Sequence, residues 1–568
     1  MLSTQSPAMV PTAAATPLSR WALWLLCVVY VLPGYVGREP WKTLDVLSFA
    51  AMMELAQGGS SWWQPTLVGL PISDPAPLLY ALGAALLQLA PAGATWAYQL
   101  PTLLALLVTL YATWHATFRF ALTPAAQPMA FAFGGQASPL NYARSVADSA
   151  ALALVACLGF AQISHEVGPA VLWAMAVALM LLGASQLFNT RTKHPYWRWW
   201  AWHATGAAVL SLTHQWALAG GLTVWAVYWA FSPHPLNQVQ SWQRWGWPLC
   251  IAFFTLCLAA WSPLTLRWSS SRWASTDPMA FLQLVSWFTW PAWPLAMWTA
   301  WKWKHQLRSG HIGIPMSLVG TGVLASILDG GSDRTLLMIL PPLAVLAAFA
   351  LPTLKRSAGA LIDWFSLLFF SFSALAIWVV WIAMQTGIPA TPARNVARLA
   401  PGFIPTFEPL AFALAVAASL AWLWVVTWRT SHHPTAMWKS LVIPASGAVL
   451  GWLLLTTLWL PLLNHARGYS GMMSRLSKDI PAGNCATGWN LQEAQLAALQ
   501  WQANLQMRRG TPATAVCEYL IASHQQDQEM FDDHPNWVLL VRSSRLTDDK
   551  ETLSLWQRKP ESLTATTH

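Results

Sequence analysis

Charged residues are scarce in this sequence. Asp, Glu, Lys and Arg make up 9% of its 568 residues, against about 25% in a soluble globular chain, and that deficit excludes a soluble globular fold. Three signatures of common chemistry are also missing: there is no P-loop, no dinucleotide-binding glycine pattern and no His-x-x-x-His helix. Cysteine is rare, with six in all. Four of these, Cys27, Cys157, Cys250 and Cys257, fall in apolar runs and read as small packing residues. No His or acid lies between Cys250 and Cys257, which argues against a metal site there. No small-residue cleavage site follows the first apolar run, so that run is expected to remain as a span. There is no clear internal repeat, and the acids of most interest lie on a loop and not mid-span, which counts against a transporter.

Apolar sequence is abundant instead. Hydrophobic residues make up 55% of the chain and mean hydropathy is +0.41. The expected fold class is mainly α, a polytopic membrane protein with about thirteen transmembrane helices and a small α/β domain at the C-terminus. Spans are predicted near 21–36, 96–118, 146–163, 169–188, 202–216, 217–231, 246–262, 280–300, 312–328, 335–352, 362–386, 407–428 and 440–462. Trp, of which there are 40, gathers at run ends such as Trp197, Trp199, Trp200 and Trp202, the headgroup level this side chain prefers.

The net charge of +9 does not point to nucleic acid, because Lys and Arg lie in short clusters at alternate connections. These are Arg119 and Arg144; Arg191, Lys193 and Arg198; Arg244; Lys302, Lys304 and Arg308; Lys355 and Arg356; and Arg429 and Lys439. The positive-inside rule places them in the cytoplasm, with the N-terminus. The loop after the first span and everything beyond Leu463 are then periplasmic. Asp148 falls near the cytoplasmic end of the third span and reads as a partner for Arg144.

Two regions follow: a transmembrane domain over 1–463, with a periplasmic first loop at 37–95 carrying interfacial helices, and a periplasmic α/β domain over 464–568. In the tail, charged and amide residues return. Asn490–Asn504 has the pattern of a helix, and Trp537–Val541 and Ser554–Gln557 those of strands. Cys485 and Cys517 lie there, on the oxidising side, and are expected to form a disulfide.

The candidate chemistry centres on the first loop, where Gly37–Tyr80 carries Glu39, Asp45, Glu54 and Asp74. Acids at a membrane cost free energy unless solvated, paired or used. Asp45 stands between Trp41 and Phe49, and prolines at 71, 75 and 77 fix the chain around Asp74. Either could take a proton from an incoming hydroxyl, or be a solvated loop acid or helix cap. Segment 46–56 could lie flat on the membrane with Glu54 on its wet face, and Glu39 could pair with Arg38 or Lys42. His165 and Glu166, at the mouth of the fourth span, read either as a helix-start acid with its neighbour or as a second acid with a metal or phosphate ligand. A divalent metal would draw on Asp45, His165 and Glu166. Cations suited to a phosphate are Arg38, Lys42, Arg267, Arg272, Arg334, Arg394 and Arg398; Asp333 is a ready partner for Arg334. His214 could bind phosphate or cap its helix.

Several local patterns carry a resemblance. They are Pro40-Trp41 before Asp45, Phe49 four residues later, and Gly69-Leu70-Pro71 leading to Asp74 and Pro77-Leu78-Leu79-Tyr80. Weaker ones are Gly206 to Thr213 and Leu340-Pro341-Pro342-Leu343. With the order of spans, long loop and C-terminal domain, the chain resembles the GT-C-fold glycosyltransferases that use polyprenyl-phosphate sugars. The bacterial aminoarabinose transferases and protein O-mannosyltransferase-like proteins are the most similar branch. The resemblance implies an inner-membrane enzyme that moves a sugar, with inversion, from a C55-type lipid phosphate to a lipid, glycan or protein acceptor. It implies a catalytic or site-organising role for Asp45, with Asp74 and Glu166 as further acids. Arg272, Arg334 and His214 would hold the lipid phosphate, alongside Arg38, Lys42 and His165 as candidates. The chain departs from the family in having Val46 where a Glu usually follows the first acid, Pro75 where a Lys follows the second, and His214 where a Lys usually stands. The competing readings are a transporter or flippase for a lipid-linked sugar and a noncatalytic membrane scaffold.

Overall fold

The computed structural model describes residues 6–41, 43–73, 75–91, 95–187, 197–231, 249–252, 254–255, 277–431, 435–481, 483–546 and 548–559. Among them, seven helices are long and apolar enough to cross a membrane: Trp96–Ala121, Pro169–Gln186, Gly310–Leu328, Asp333–Thr353, Arg356–Thr386, Pro409–Thr430 and Lys439–Thr457. Other expected crossings correspond to helices outside that set, including Arg20–Val31, Pro139–Ala156, Trp197–Ser211 and Trp216–Phe231. The run at 280–300 is divided between Pro278–Phe288 and Ala292–Lys302. The crossing expected at 246–262 falls mostly outside the described residues.

The chain forms two compact units, one of Met1–Val36, Leu100–Ile377 and Pro409–Thr457, the other of Gly37–Gln99, Trp378–Glu408 and Leu458–His568. In the first, Asp333–Thr353 is the central span, 94% buried, while Pro409–Thr430 is 11% buried and presents almost its whole surface outward. Several buried hydroxyls inside this unit are satisfied within their own helix. Thr109, Thr113 and Thr117 each donate to the carbonyl four residues earlier. Small residues bring helices close together: a Cβ on Gly206 would lie 2.7 Å from the carbonyl oxygen of Ala176. Asp148 accepts from the indole of Trp114 and the backbone N–H of Leu18, both at 2.9 Å. These bonds anchor its carboxylate, and the charge of Arg144 acts on it as well.

The second unit holds the first loop and the C-terminal domain. Helix Thr43–Ala56 packs against Pro77–Leu89 and against Glu493–Trp501. Its buried residues, Val46, Leu47, Ala50, Ala51, Met52 and Leu55 among them, surround the helix, so it is enclosed and does not lie flat on a surface. Glu54 is correspondingly 9% exposed and does not mark a wet face. Desolvation raises its pKa, offset in part by the backbone N–H of Val68 and the charge of Arg509.

Strands β1 (Thr66–Leu67) and β2 (Leu70–Pro71) form a hairpin. Its two turn residues both have positive φ, Val68 at 51° and Gly69 at 77°, as a two-residue primed turn demands. The C-terminal sheet has five strands: β3 (Cys485–Trp489), β4 (Gln506–Arg509), β5 (Tyr519–Ser523), β6 (Trp537–Arg545) and β7 (Asp548–Arg558). Their order is β4-β3-β5-β7-β6. The first three are parallel, and β7 joins β5 and β6 antiparallel. Helix Glu493–Trp501, started by a Gln492–Gln495 capping box, makes the crossover from β3 to β4. Leu520, Ala522, Met530, Trp537 and Trp556 fill the core beneath. Cys485 and Cys517 are bonded, with Cα atoms 5.4 Å apart.

Candidate functional site

In the second unit the chain enters helix Thr43–Ala56 through Gly37–Trp41. Asp45 falls in the first turn, where the helix dipole favours a carboxylate. Arg38 Nη2 donates to Asp45 Oδ2 at 2.7 Å, and the two side chains are 2% and 1% exposed. Arg38 thus pairs with Asp45, and the pairing expected with Glu39 is not formed. The backbone N–H of Trp41 reaches the same carboxylate oxygen at 3.4 Å, and the guanidinium carbon lies 5.1 Å from the Trp41 ring centroid, a cation–π arrangement. Gln99 donates to the carbonyl of Arg38 at 3.1 Å.

One side chain from the far end of the sequence holds this segment. Asn464 Oδ1 accepts from the indole N–H of Trp41 and from the backbone N–H of Glu39. Its Nδ2 donates to the carbonyl of Gly37 at 3.1 Å. The sequence reading missed Gln99 and Asn464. Both are amides with no local pattern around them, and only the tertiary fold brings them to the loop.

In the first unit, Glu166 lies in the connection between helices Leu158–Ile163 and Pro169–Leu187. Its Oε2 accepts from Arg334 Nε at 3.3 Å, with side-chain exposures of 6% for Glu166 and 32% for Arg334. Arg334 therefore takes Glu166 as its partner, not the adjacent Asp333. Its two terminal nitrogens are unengaged among the described residues. His165 is fully buried among the rings of Tyr30, Tyr35 and Trp452, with centroids 4.7 to 5.4 Å away. Its Nδ1 faces the carbonyl of Ala161. Gly34 makes room for it, since a Cβ there would come within 2.2 Å of the imidazole.

His214 closes helix Trp197–Ser211. Its N–H bonds to Ser211 O, the N–H of Gln215 bonds to Leu210 O, and its φ is 60°. This is the Schellman C-cap with histidine in the position usually given to glycine. Arg394 and Arg398 are exposed on helix Ala390–Leu399. Lys42, Asp74, Arg267 and Arg272 lie outside the described residues. No three His, Cys, Asp or Glu side chains among the described residues gather to hold a metal ion. Asp45 and Glu166 each face an arginine, and His165 sits among aromatic rings.

No protein-family model matches the chain, and no curated protein matches it in sequence. Solved structures do match. ArnT from Cupriavidus metallidurans bound to undecaprenyl phosphate aligns with a TM-score of 0.62 at 13% identity, covering 96% of this chain and 98% of that one. The fold is that of ArnT. ArnT from the same organism in the apo state aligns with a TM-score of 0.61 at 15% identity, over 94% and 96% of the two chains. The shared length takes in the helical region and the C-terminal sheet, so the polytopic GT-C architecture extends through the whole molecule.

Proposed function

We propose that this protein is an inner-membrane glycosyltransferase that takes its sugar from a polyprenyl-phosphate donor and passes it to a periplasmic-side acceptor. The observation that carries the reading is the fold, shared over nearly the full length of both chains with ArnT bound to undecaprenyl phosphate. The paired arginines support it. Glu166 orients Arg334, whose terminal nitrogens can meet a phosphate in a bidentate way. Asp45 orients Arg38 within the first loop.

In the reaction, an acceptor oxygen attacks the anomeric carbon from the face opposite the phosphate. The bond from that carbon to the phosphate oxygen breaks, its electron pair leaves on the lipid phosphate, and the acceptor proton passes to a carboxylate. Charge on the departing phosphate is the term for arginines to stabilise. Asp45 is the candidate for positioning Arg38, and Glu166 for positioning Arg334, with Asp74, Lys42, Arg272 and His214 as further candidates. Lipid A, a surface glycan or an exported protein would each offer a suitable hydroxyl or phosphate.

The test is a strain lacking the protein, complemented with wild type or with Arg334→Met. Mass spectrometry of lipid A, polysaccharide and exported proteins, with the lipid-phosphate sugar pool read in parallel, should show one sugar mass lost in both the deletion and the variant while donor accumulates. A glycan profile unchanged by the deletion would sink the transferase and favour a scaffold. Donor trapped on the cytoplasmic face would favour a flippase.

A further inference from the structure

The first unit contains a cavity of about 430 Å³ that the proposed reaction does not use. It lies where the connection from the central span to helix Arg356–Thr386 meets the connection from Pro409–Ser431 to Lys439–Thr457, beside Met9 and Val10. Four cations line it: Lys355, Arg356, Arg429 and Lys439. One carboxylate is close by, Asp363, which is ion-paired with Arg429. The charge of Asp363 also reaches Lys439, and Lys355 and Arg356 form no salt bridge among the described residues, so four cations face one carboxylate.

Their position sharpens the imbalance. Arg356 and Lys439 are the first residues of two long helices, where unpaired N–H groups and the helix dipole already present positive charge. Cations there repel one another and the dipoles, unless an anion sits among them. The cavity is also remote from the Glu166–Arg334 pair. Arg334 stands at the start of the central span, and Leu351 and Pro352 at its end line the cavity, about 27 Å away at 1.5 Å per helical residue.

We infer that this cavity binds the phosphodiester headgroup of an anionic phospholipid. A lipid fits better than a free phosphate because apolar surface leads away from the cations. Leu361 and Trp364, further along the helix that Arg356 begins, are 70% and 64% exposed, and Trp424, a little over one turn before Arg429, is 66% exposed. Acyl chains can lie along these faces while the headgroup meets Lys355, Arg356 and Lys439. Basic pockets between membrane helices on the cytoplasmic side recognise headgroups in this way, and the distribution of Lys and Arg assigns this end of the helices to that side.

The experiment is native mass spectrometry of the full-length protein released from nanodiscs that mix phosphatidylglycerol with phosphatidylcholine. Wild type should retain phosphatidylglycerol selectively, and Arg356→Gln/Lys439→Gln should bind it roughly tenfold more weakly or worse. The Asp363–Arg429 pair stays intact in that variant. If it does not purify as a single species, Lys355→Gln/Arg356→Gln, at two exposed positions, gives the same reading. Equal retention of both lipids by wild type, or undiminished selectivity in the variants, would overturn the inference. So would displacement of the lipid by millimolar inorganic phosphate, which would mark the cavity as a free-anion site.

Discussion

A guanidinium and a carboxylate buried together stabilise little relative to apolar residues of the same shape, yet losing one of the two is expensive. For Arg38 and Asp45 this separates structure from chemistry. Asp45→Ala breaks a buried ion pair and is expected to destabilise the protein by about 3–5 kcal/mol, so its inactivity alone says little. Asp45→Asn keeps an acceptor for Arg38 and should hold a normal melting temperature. If Asp45 works by positioning Arg38, Asp45→Asn keeps at least a tenth of the turnover; if it removes a proton, turnover falls to the level of Asp45→Ala. Arg38→Met/Asp45→Leu should fold with near wild-type stability and transfer no sugar. Retained transfer in that double variant would remove the pair from the proposed site.

Glu54 gives a prediction in pH. Its pKa is raised in the folded protein by burial, so the folded state binds a proton more tightly than the unfolded chain, in which Glu titrates near 4.3. Its contribution is full below that value and is lost as pH rises through the folded pKa. Thermal unfolding from pH 4 upward should therefore show less loss of stability in Glu54→Gln than in wild type. Parallel profiles would mean that the carboxylate is already compensated.

Among the elements, the hairpin β1–β2 carries a visible strain, a β-branched residue at positive φ. Val68→Gly or Val68→Asn should raise the melting temperature by the equivalent of about 1 kcal/mol, unless the side chain of Val68 has a use. The disulfide is the second case. Cys485 and Cys517 are 32 residues apart, and losing a cross-link of that span costs roughly 3–4 kcal/mol in the chain-entropy model. Cys485→Ser/Cys517→Ser should show it by chemical unfolding of the full chain. The legibility of elements in the sequence follows from what makes them. The membrane helices were plain because apolar runs of that length have few other fates. The strands around Trp537 and Ser554 were found from alternation but read short, since their outer residues pair across the hairpin and need no apolar pattern to do so. Helix Thr43–Ala56 was misplaced at a surface because its cover, helix Glu493–Trp501, comes from the other end of the chain.

For the whole molecule, the resemblance carried by Pro40-Trp41 and Gly69-Leu70-Pro71 pointed to the GT-C fold, and the match to ArnT bears that out. The pairs at the candidate site were not legible. Glu166 and Arg334 are 168 residues apart, and each had a nearer opposite charge or a local role to explain it. Orientation is open to direct test. Single cysteines placed in a chain with Cys27, Cys157, Cys250 and Cys257 changed to Ala should react with an impermeant maleimide at Ser477 but not at Ser357. The reverse pattern would invert the topology and move the proposed site to the cytoplasm.

Asn464 has a consequence for how such a protein can be cut and recombined. It is the first residue past the last apolar run, yet it binds Gly37, Glu39 and Trp41 at once. A chain ended at Leu463 keeps every apolar run and loses the fastening of its first loop. The last hundred or so residues are accordingly not a detachable module. A chimera that borrows them from a distant relative will work only if residues 37–41 are borrowed with them, and selection should act on the two stretches as one unit.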